Sequence, residues 1–205
     1  MLADLIAFIG ASVLVILIPG PDTLVVLRNI VLHGRRAAAL TAAGVLTGLT
    51  LWALAASLGV TALLRASHDG YLALRLVGAA YLLLIGIQAL RSRVLGQPLD
   101  VRAPRASIVG RGYRAGLTTD LLNPKVGVFF VTFLPAFIPR GDPGALVTAA
   151  LGGLFVLETA LYFAVMLLFV NRLLGWLGND RIRKRLNRAT GLVLIGFGLR
   201  LAAES

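Results

Sequence analysis

Long apolar blocks, separated by shorter polar stretches, make up most of this chain. The apolar positions do not alternate with polar ones as they would in half-buried strands, and a membrane-spanning helix needs about 20 mostly apolar residues. The pattern therefore predicts an all-α integral membrane protein with six transmembrane helices. The predicted spans are Leu2–Leu27, Ala38–Leu64, Tyr71–Leu90, Tyr113–Ile138, Ala145–Val170 and Ala189–Ala203.

Basic residues fall mainly in alternate loops between these spans. The first, third and fifth loops are rich in arginine, whereas the second and fourth contain only Arg65 and Arg140. Because basic loops face the cytoplasm, the first, third and fifth loops are predicted inside and both termini outside. The net charge of +11 is then an orientation signal, and nucleic acid is not expected as a partner.

Composition narrows the classes of protein further. Hydrophobic residues make up 58% of the 205 residues, against about 45–50% in soluble domains, and no polar stretch is long enough to form a soluble catalytic domain. With no cysteine and no histidine inside a span, neither a cofactor nor a metal site is expected. Asp4 precedes any basic residue, so the first span is predicted to be retained and not cleaved as a signal peptide. The chain therefore does not look like an enzyme.

The two halves of the chain contain similar segments in the same order. A linker of about residues 96–110 separates repeat one, about 1–95, from repeat two, about 111–205, within a single transporter domain. The paired segments are "IPGPDTL" with "LNPKVGV", "LTGLTL" with "LGGLFV", and "LLIGIQALR" with "VLIGFGLR". Since each half has three spans, the halves run in opposite directions, which predicts two inverted three-helix repeats.

The first span of each half is interrupted by proline. Proline lacks an N–H group and clashes with the carbonyl four residues back, so Pro19 and Pro21 should free the carbonyls of Val15 and Leu17. In span four, Asn123 suits an N-cap and Pro124 the first helical position. Each helix is then expected to restart inside the membrane with free N–H groups, which attract anions. In the second half these are the N–H groups of Lys125 and Val126.

Matched helix breaks at membrane depth are typical of transporter binding sites. The residues at and beside the two breaks are therefore the predicted substrate-binding residues. They are Pro19, Gly20, Pro21, Asp22, Thr23, Asn123, Pro124 and Lys125.

Four ionisable residues lie inside the spans: Asp22, Asp120, Lys125 and Glu158. A charge at mid-membrane costs about 2.5–3.5 kcal/mol or more, so such residues usually face a cavity or pair with each other. Three carboxylates outnumber the one ammonium, and an unpaired buried carboxylate tends to bind a proton. Asp22, Asp120 and Glu158 are therefore proton-coupling candidates. The alternatives are helix capping for the aspartates, snorkelling to the interface for Lys125, and a place near the outer surface for Glu158.

The segments "PGPDTL" and "NPKVGVFF", with "GAAYLLLIGIQALRS" and "FLPAFIP", resemble the lysine exporter (LysE) superfamily, specifically its homoserine/threonine-efflux branch. The resemblance covers nearly the whole chain. It implies an exporter of amino acids or similar small zwitterions in a bacterial inner membrane, driven by proton entry. Asp22 stands where the family has a short polar residue, and Asp120 where relatives often have asparagine.

Physical reasoning and resemblance together suggest how a zwitterion would bind. Its carboxylate would meet the helix starts near Thr23 and Lys125, and its ammonium would meet Asp22, Asp120 or the freed carbonyls. The alternative function is a cation or metal-ion exporter of the same architecture. An intramembrane enzyme or a non-transporting partner protein fits less well, and a homodimer is compatible with the sequence.

Overall fold

The computed structural model describes residues 2–66, 110–138 and 145–170, with isolated helical residues between 76 and 90 and between 185 and 203. Every regular element in this part of the chain is helical, which confirms the all-α prediction there. Most of the two predicted spans Tyr71–Leu90 and Ala189–Ala203, and nearly all of the linker, lie outside the described residues. The helices are α1 (Leu2–Leu17), α2 (Pro21–Ala66), α3 (Tyr113–Leu121), α4 (Pro124–Val128) and α5 (Ala145–Leu168).

Two stretches of the described residues are long and apolar enough to cross a membrane. They are Pro21–Gly59, with 39 residues, and Ala145–Leu168, with 24. Large apolar side chains project outward from both, such as Leu58 (73% exposed) and Leu146 (82% exposed). In a bilayer these side chains contact lipid, which is as apolar as they are.

Helix α2 turns at a single residue, Gly34. A straight helix of 46 residues would be about 69 Å long, more than twice the roughly 30 Å hydrocarbon core of a bilayer. Gly34 interrupts it with φ 80° and ψ 176°, a region open essentially only to glycine. The sequence predicted a loop of about ten residues between Leu27 and Ala38; in the structure only Gly34 leaves the helical conformation.

Small residues hold α2 against its neighbours α3 and α5. A Cβ atom added to Gly44 would collide with the carbonyl of Tyr113, and one added to Gly116 would collide with the carbonyl of Thr41. Backbones approach this closely only where side chains are absent, as is common between membrane helices. These contacts fix α3, and the helix break that follows it, against the first half of the chain.

Helix α4 continues into two turns that are not α-helical, the first wider and the second tighter than an α-helical turn. A π-helical turn, Phe129–Phe133, follows it directly, and a 3₁₀ turn, Leu134–Phe137, follows that. Phenylalanines from this segment pack on α1 and α5: the ring of Phe129 stacks on Phe155 with a centroid distance of 4.1 Å, and Phe8 meets Phe137 edge to face at 5.3 Å. The aromatic cluster closes the core beside the two helix breaks.

Candidate functional site

The first helix break lies between Leu17, where α1 ends, and Pro21, where α2 begins. Pro19 has no N–H to donate to the carbonyl of Val15. That carbonyl instead accepts a hydrogen bond from Nζ of Lys125 at 2.7 Å, and the same Nζ donates to the carbonyl of Ile18 at 3.1 Å. The Val15 carbonyl is thus available to a donor from the second half of the chain, as predicted. The second carbonyl that Lys125 binds is that of Ile18 and not the predicted one of Leu17.

The second break separates α3, which ends at Leu121, from α4, which begins at Pro124. Asn123 caps α4 as expected: it has an extended backbone, and its Oδ1 accepts the N–H of Lys125 at 3.1 Å. Its carbonyl accepts the N–H of Val126, also at 3.1 Å. The N–H groups of Lys125 and Val126, which were expected to be free for an anion, are therefore both taken by Asn123.

Hydrogen bonds join the two breaks directly. Nδ2 of Asn123 donates to Oδ2 of Asp22 at 2.7 Å, so the N-cap of α4 also holds the first carboxylate of α2. The other oxygen of Asp22, Oδ1, is buried and has no hydrogen-bond partner among the described residues. The matched breaks predicted from the sequence thus meet at one place in the structure.

Asp120 is a second carboxylate next to Asp22. Its side chain is fully buried, faces the carboxyl group of Asp22, and packs so closely on α2 that a Cβ atom on Gly48 would collide with its Oδ2. Within the described part of the chain, neither of its carboxyl oxygens has a hydrogen-bond donor. Two carboxyl groups therefore share one buried region next to Lys125.

A cavity opens where the breaks meet. It encloses about 440 Å³ of empty space, including the space at its mouth. Charged and polar groups form one part of its wall, and apolar side chains from α1, α2, α4, the π turn and α5 form the rest. The lining residues are Val15, Ile16, Ile18, Gly20, Asp22, Thr23, Leu49, Asn123, Lys125, Val126, Phe129, Phe155, Thr159, Tyr162 and Phe163.

The predicted site residues divide into three groups. Five of them line the cavity: Gly20, Asp22, Thr23, Asn123 and Lys125. The three prolines do not line it and instead set the backbone breaks. Asp120 and Glu158, both proposed for proton coupling, are also absent from the lining.

Glu158 lies apart from the carboxyl pair. It is on α5 and accepts a hydrogen bond from the hydroxyl group of Ser12 on α1. Its Oε1 is buried without a hydrogen-bond partner among the residues described. Glu158 therefore joins α1 to α5 near the cavity without reaching into it.

Sequence reasoning missed the contribution of α5 to the cavity wall. Phe155, Thr159, Tyr162 and Phe163 all line it, and the hydroxyl group of Tyr162 meets the side chain of Thr23. The available signal was spacing, because residues four, seven and eight positions after Phe155 lie on the same helix face.

Comparison with known proteins decides the family. The family model described as LysE type translocator matches residues 13–205. The chain belongs to the LysE translocator family. The resemblance seen in the proline motifs is therefore confirmed, and so is the expectation of a membrane transporter and not an enzyme.

Individual relatives of this LysE translocator cover nearly its whole length. It is 31% identical to the leucine efflux protein of Salmonella typhimurium, over 95% of this chain and 92% of the relative. It is 32% identical to the leucine efflux protein of Klebsiella pneumoniae, over 96% and 93%. It is also 27% identical to the membrane protein YrhP of Bacillus subtilis, over 96% and 97%. No solved structure matches this LysE translocator significantly.

Proposed function

We propose that this protein exports amino acids with apolar side chains from the cytoplasm in exchange for protons. The observation that carries the proposal is a cavity in which Asp22, Lys125 and the first helix break stand beside a largely apolar wall. A zwitterionic amino acid needs both signs of charge at one end and an apolar surface at the other.

The apolar wall supports a side chain of leucine-like character. Phe129, Phe155 and Phe163 contribute most of its aromatic surface, and Leu49 and Val126 add aliphatic surface. Two of the relatives are named leucine efflux proteins, which favours a substrate of this class.

The proposed architecture is that of two inverted three-helix repeats, with six spans in the bacterial inner membrane and both termini outside. Support comes from the matched breaks, since Asn123 of the second half holds Asp22 of the first. In such an arrangement, rocking of one half against the other would expose the site to each side of the membrane in turn.

Asp22 and Asp120 are the proposed proton carriers. Their carboxyl groups face each other, and two carboxyl groups can share a hydrogen bond only if one of them holds a proton. Three of their four oxygens have no partner among the described residues, so a proton could bind there without displacing another contact. Glu158 lies outside the cavity and ranks third.

Transport of labelled leucine by purified protein in vesicles would test the proposal. We expect an imposed proton gradient to drive leucine in the direction opposite to proton flow. Asp22→Asn or Asp120→Asn should abolish this pH-driven movement, while counterflow exchange of leucine partly survives. Glu158→Gln is the matched control and should keep the coupling. If both aspartate variants retain full pH-driven transport, the proton travels by another route.

The alternative is a cation exporter of the same architecture. The unpartnered oxygens of Asp22 and Asp120 favour it, because carboxylates also bind hard cations. No group of three or more His, Cys, Asp or Glu residues within the described ranges could hold a metal ion. Efflux of divalent cations from the same vesicles, without efflux of leucine, would establish this alternative.

A further inference from the structure

The ammonium group of Lys125 sits on the acceptors at the first helix break. Its Nζ donates to the carbonyls of Val15 at 2.7 Å and Ile18 at 3.1 Å. An ammonium group has three N–H donors, so these two contacts use most of its capacity. Val15 and Ile18 both line the cavity, and neither belongs to the half of the chain that carries the lysine.

An incoming amino acid would need the same acceptors. Its α-ammonium is chemically the same group as the end of a lysine side chain. At the polar part of the cavity wall, one oxygen of Asp22 already accepts from Asn123 at 2.7 Å. Oδ1 of Asp22 has no partner among the described residues, but it belongs to the proposed proton-carrying pair. The Val15 and Ile18 carbonyls are acceptors beside the cavity for which a proton does not compete, and Lys125 occupies them.

We propose that Lys125 is a tethered stand-in for the substrate ammonium. It holds the Val15 and Ile18 carbonyls until a zwitterion enters, yields them to the substrate ammonium, and moves onto the substrate carboxylate. This inference rests on the proposed function, because it requires a substrate with both charges. Lysine suits the exchange, since its ammonium is a compact charge on a flexible stem.

Two features of the lysine's surroundings favour such a movement. Gly20 lies beside it, and even an added Cβ atom there would be 3.6 Å from Cδ and 3.7 Å from Nζ of Lys125, an ordinary contact distance. Gly20 therefore does not crowd the lysine side chain where it crosses the first break. Because Lys125 lines the cavity, a short swing keeps its charge next to the bound ligand.

The exchange explains how the site would select zwitterions. A simple amine could displace Lys125 but would take its two hydrogen-bond acceptors and add a second positive charge beside it in a low-dielectric cavity, which is strongly unfavourable. A simple carboxylic acid could attract Lys125 but would leave the two carbonyls unpaired. Only a ligand with both groups satisfies every partner after the exchange.

Calorimetric binding of two ligands to the purified full chain would test the stand-in role. The ligands are leucine and 3-methylbutylamine, which has the same side chain and an amino group but no carboxylate. We expect Lys125→Met to bind the amine at least about tenfold more tightly than the wild type does, and leucine at least about tenfold more weakly. Thr118→Val is the control, because Thr118 does not line the cavity and its hydroxyl donates to the carbonyl of Arg114 in its own helix. It should change the affinity for neither ligand.

A purely structural lysine would give a different result. Equal weakening of both ligands by Lys125→Met, or no gain for the amine, would overturn the inference while leaving leucine binding by the wild type intact. If Lys125→Met does not fold, Lys125→Gln keeps one neutral donor for the carbonyls and should show a smaller gain for the amine. Failure of both variants to fold would show the ammonium to be structural and would also overturn it. A wild type that binds no amino acid would instead refute the proposed function.

Discussion

Two neighbouring glycines of α5 offer a sharp test of the helix packing around the cavity. A Cβ atom on Gly152 would lie 2.7 Å from Cβ of Ala53 on α2, and 3.4 Å from the ring of Phe130. A Cβ atom on Gly153 would meet nothing within 4 Å. We therefore expect Gly152→Ala to destabilise the protein and Gly153→Ala to stabilise it slightly.

The magnitude follows from two opposing terms. Replacing glycine by alanine inside a helix favours folding by about 0.5–1 kcal/mol at either position. At Gly152 the new methyl must move from 2.7 Å to an ordinary carbon–carbon separation of about 3.5–4.0 Å, so α2 and α5 must separate by about 1 Å. Such overpacking costs typically about 1–3 kcal/mol. The helix term cancels between the two variants, and their free energies of unfolding should differ by about 1–3 kcal/mol.

Thermal unfolding in one detergent would measure this difference. For a chain of this size, 1 kcal/mol shifts Tm by about 2–4 °C, so the two variants should differ by at least about 2 °C. Adding Ala53→Gly to Gly152→Ala removes the colliding methyl and should restore most of the lost stability, as expected for residues in direct contact. If Gly152→Ala is as stable as Gly153→Ala, the close approach of α2 and α5 is wrong.

Three further predictions concern orientation, capping and the turn in α2. Arg111→Cys should be protected from an impermeant thiol reagent in intact cells and Gly70→Cys should react, and the reverse pattern would invert the proposed topology. Asn123→Ala should lower the free energy of unfolding by about 2–4 kcal/mol, because it removes both a helix cap and the donor to a buried carboxylate; Asn123→Asp, which retains the cap but not the donor, should recover only the capping part. Gly34→Ala should cost about 1–3 kcal/mol in thermal unfolding because of its positive φ, whereas Gly59→Ala, which meets no other atom within 4 Å, should not destabilise.

Much of the local fold could be predicted from the sequence because proline and glycine act locally. Pro19 and Pro124 break their helices through missing N–H groups and ring geometry, which do not depend on distant contacts. The ends of the spans were less predictable. The predicted first loop is helical except at Gly34. The arginine-rich segment around Gly34 can remain helical because its charged side chains still reach the membrane surface.

The site could be predicted only in part, for a related reason. Sequence spacing identified Asp22 and Lys125 as residues at the two breaks, but it could not show that Lys125 reaches across to Val15 and Ile18. That contact joins residues more than 100 positions apart, and its geometry depends on how the two halves pack. The contribution of Tyr162 was missed for the same reason, since the sequence does not show which helices pack against the face of α5 that carries it.

The π turn at Phe129–Phe133 has a consequence for how this chain tolerates changes in length. A π turn contains one residue more than the α-helical turn it replaces, and the surplus is absorbed locally as a bulge. Deleting one residue within this segment would therefore convert it to a regular turn, while the helix faces before and after it keep their directions. The same deletion in the middle of α5 would rotate everything beyond it by about 100° and turn lipid-facing leucines toward the core. The aromatic segment beside the cavity is thus the place where the membrane-embedded chain can lose a residue with the least disturbance.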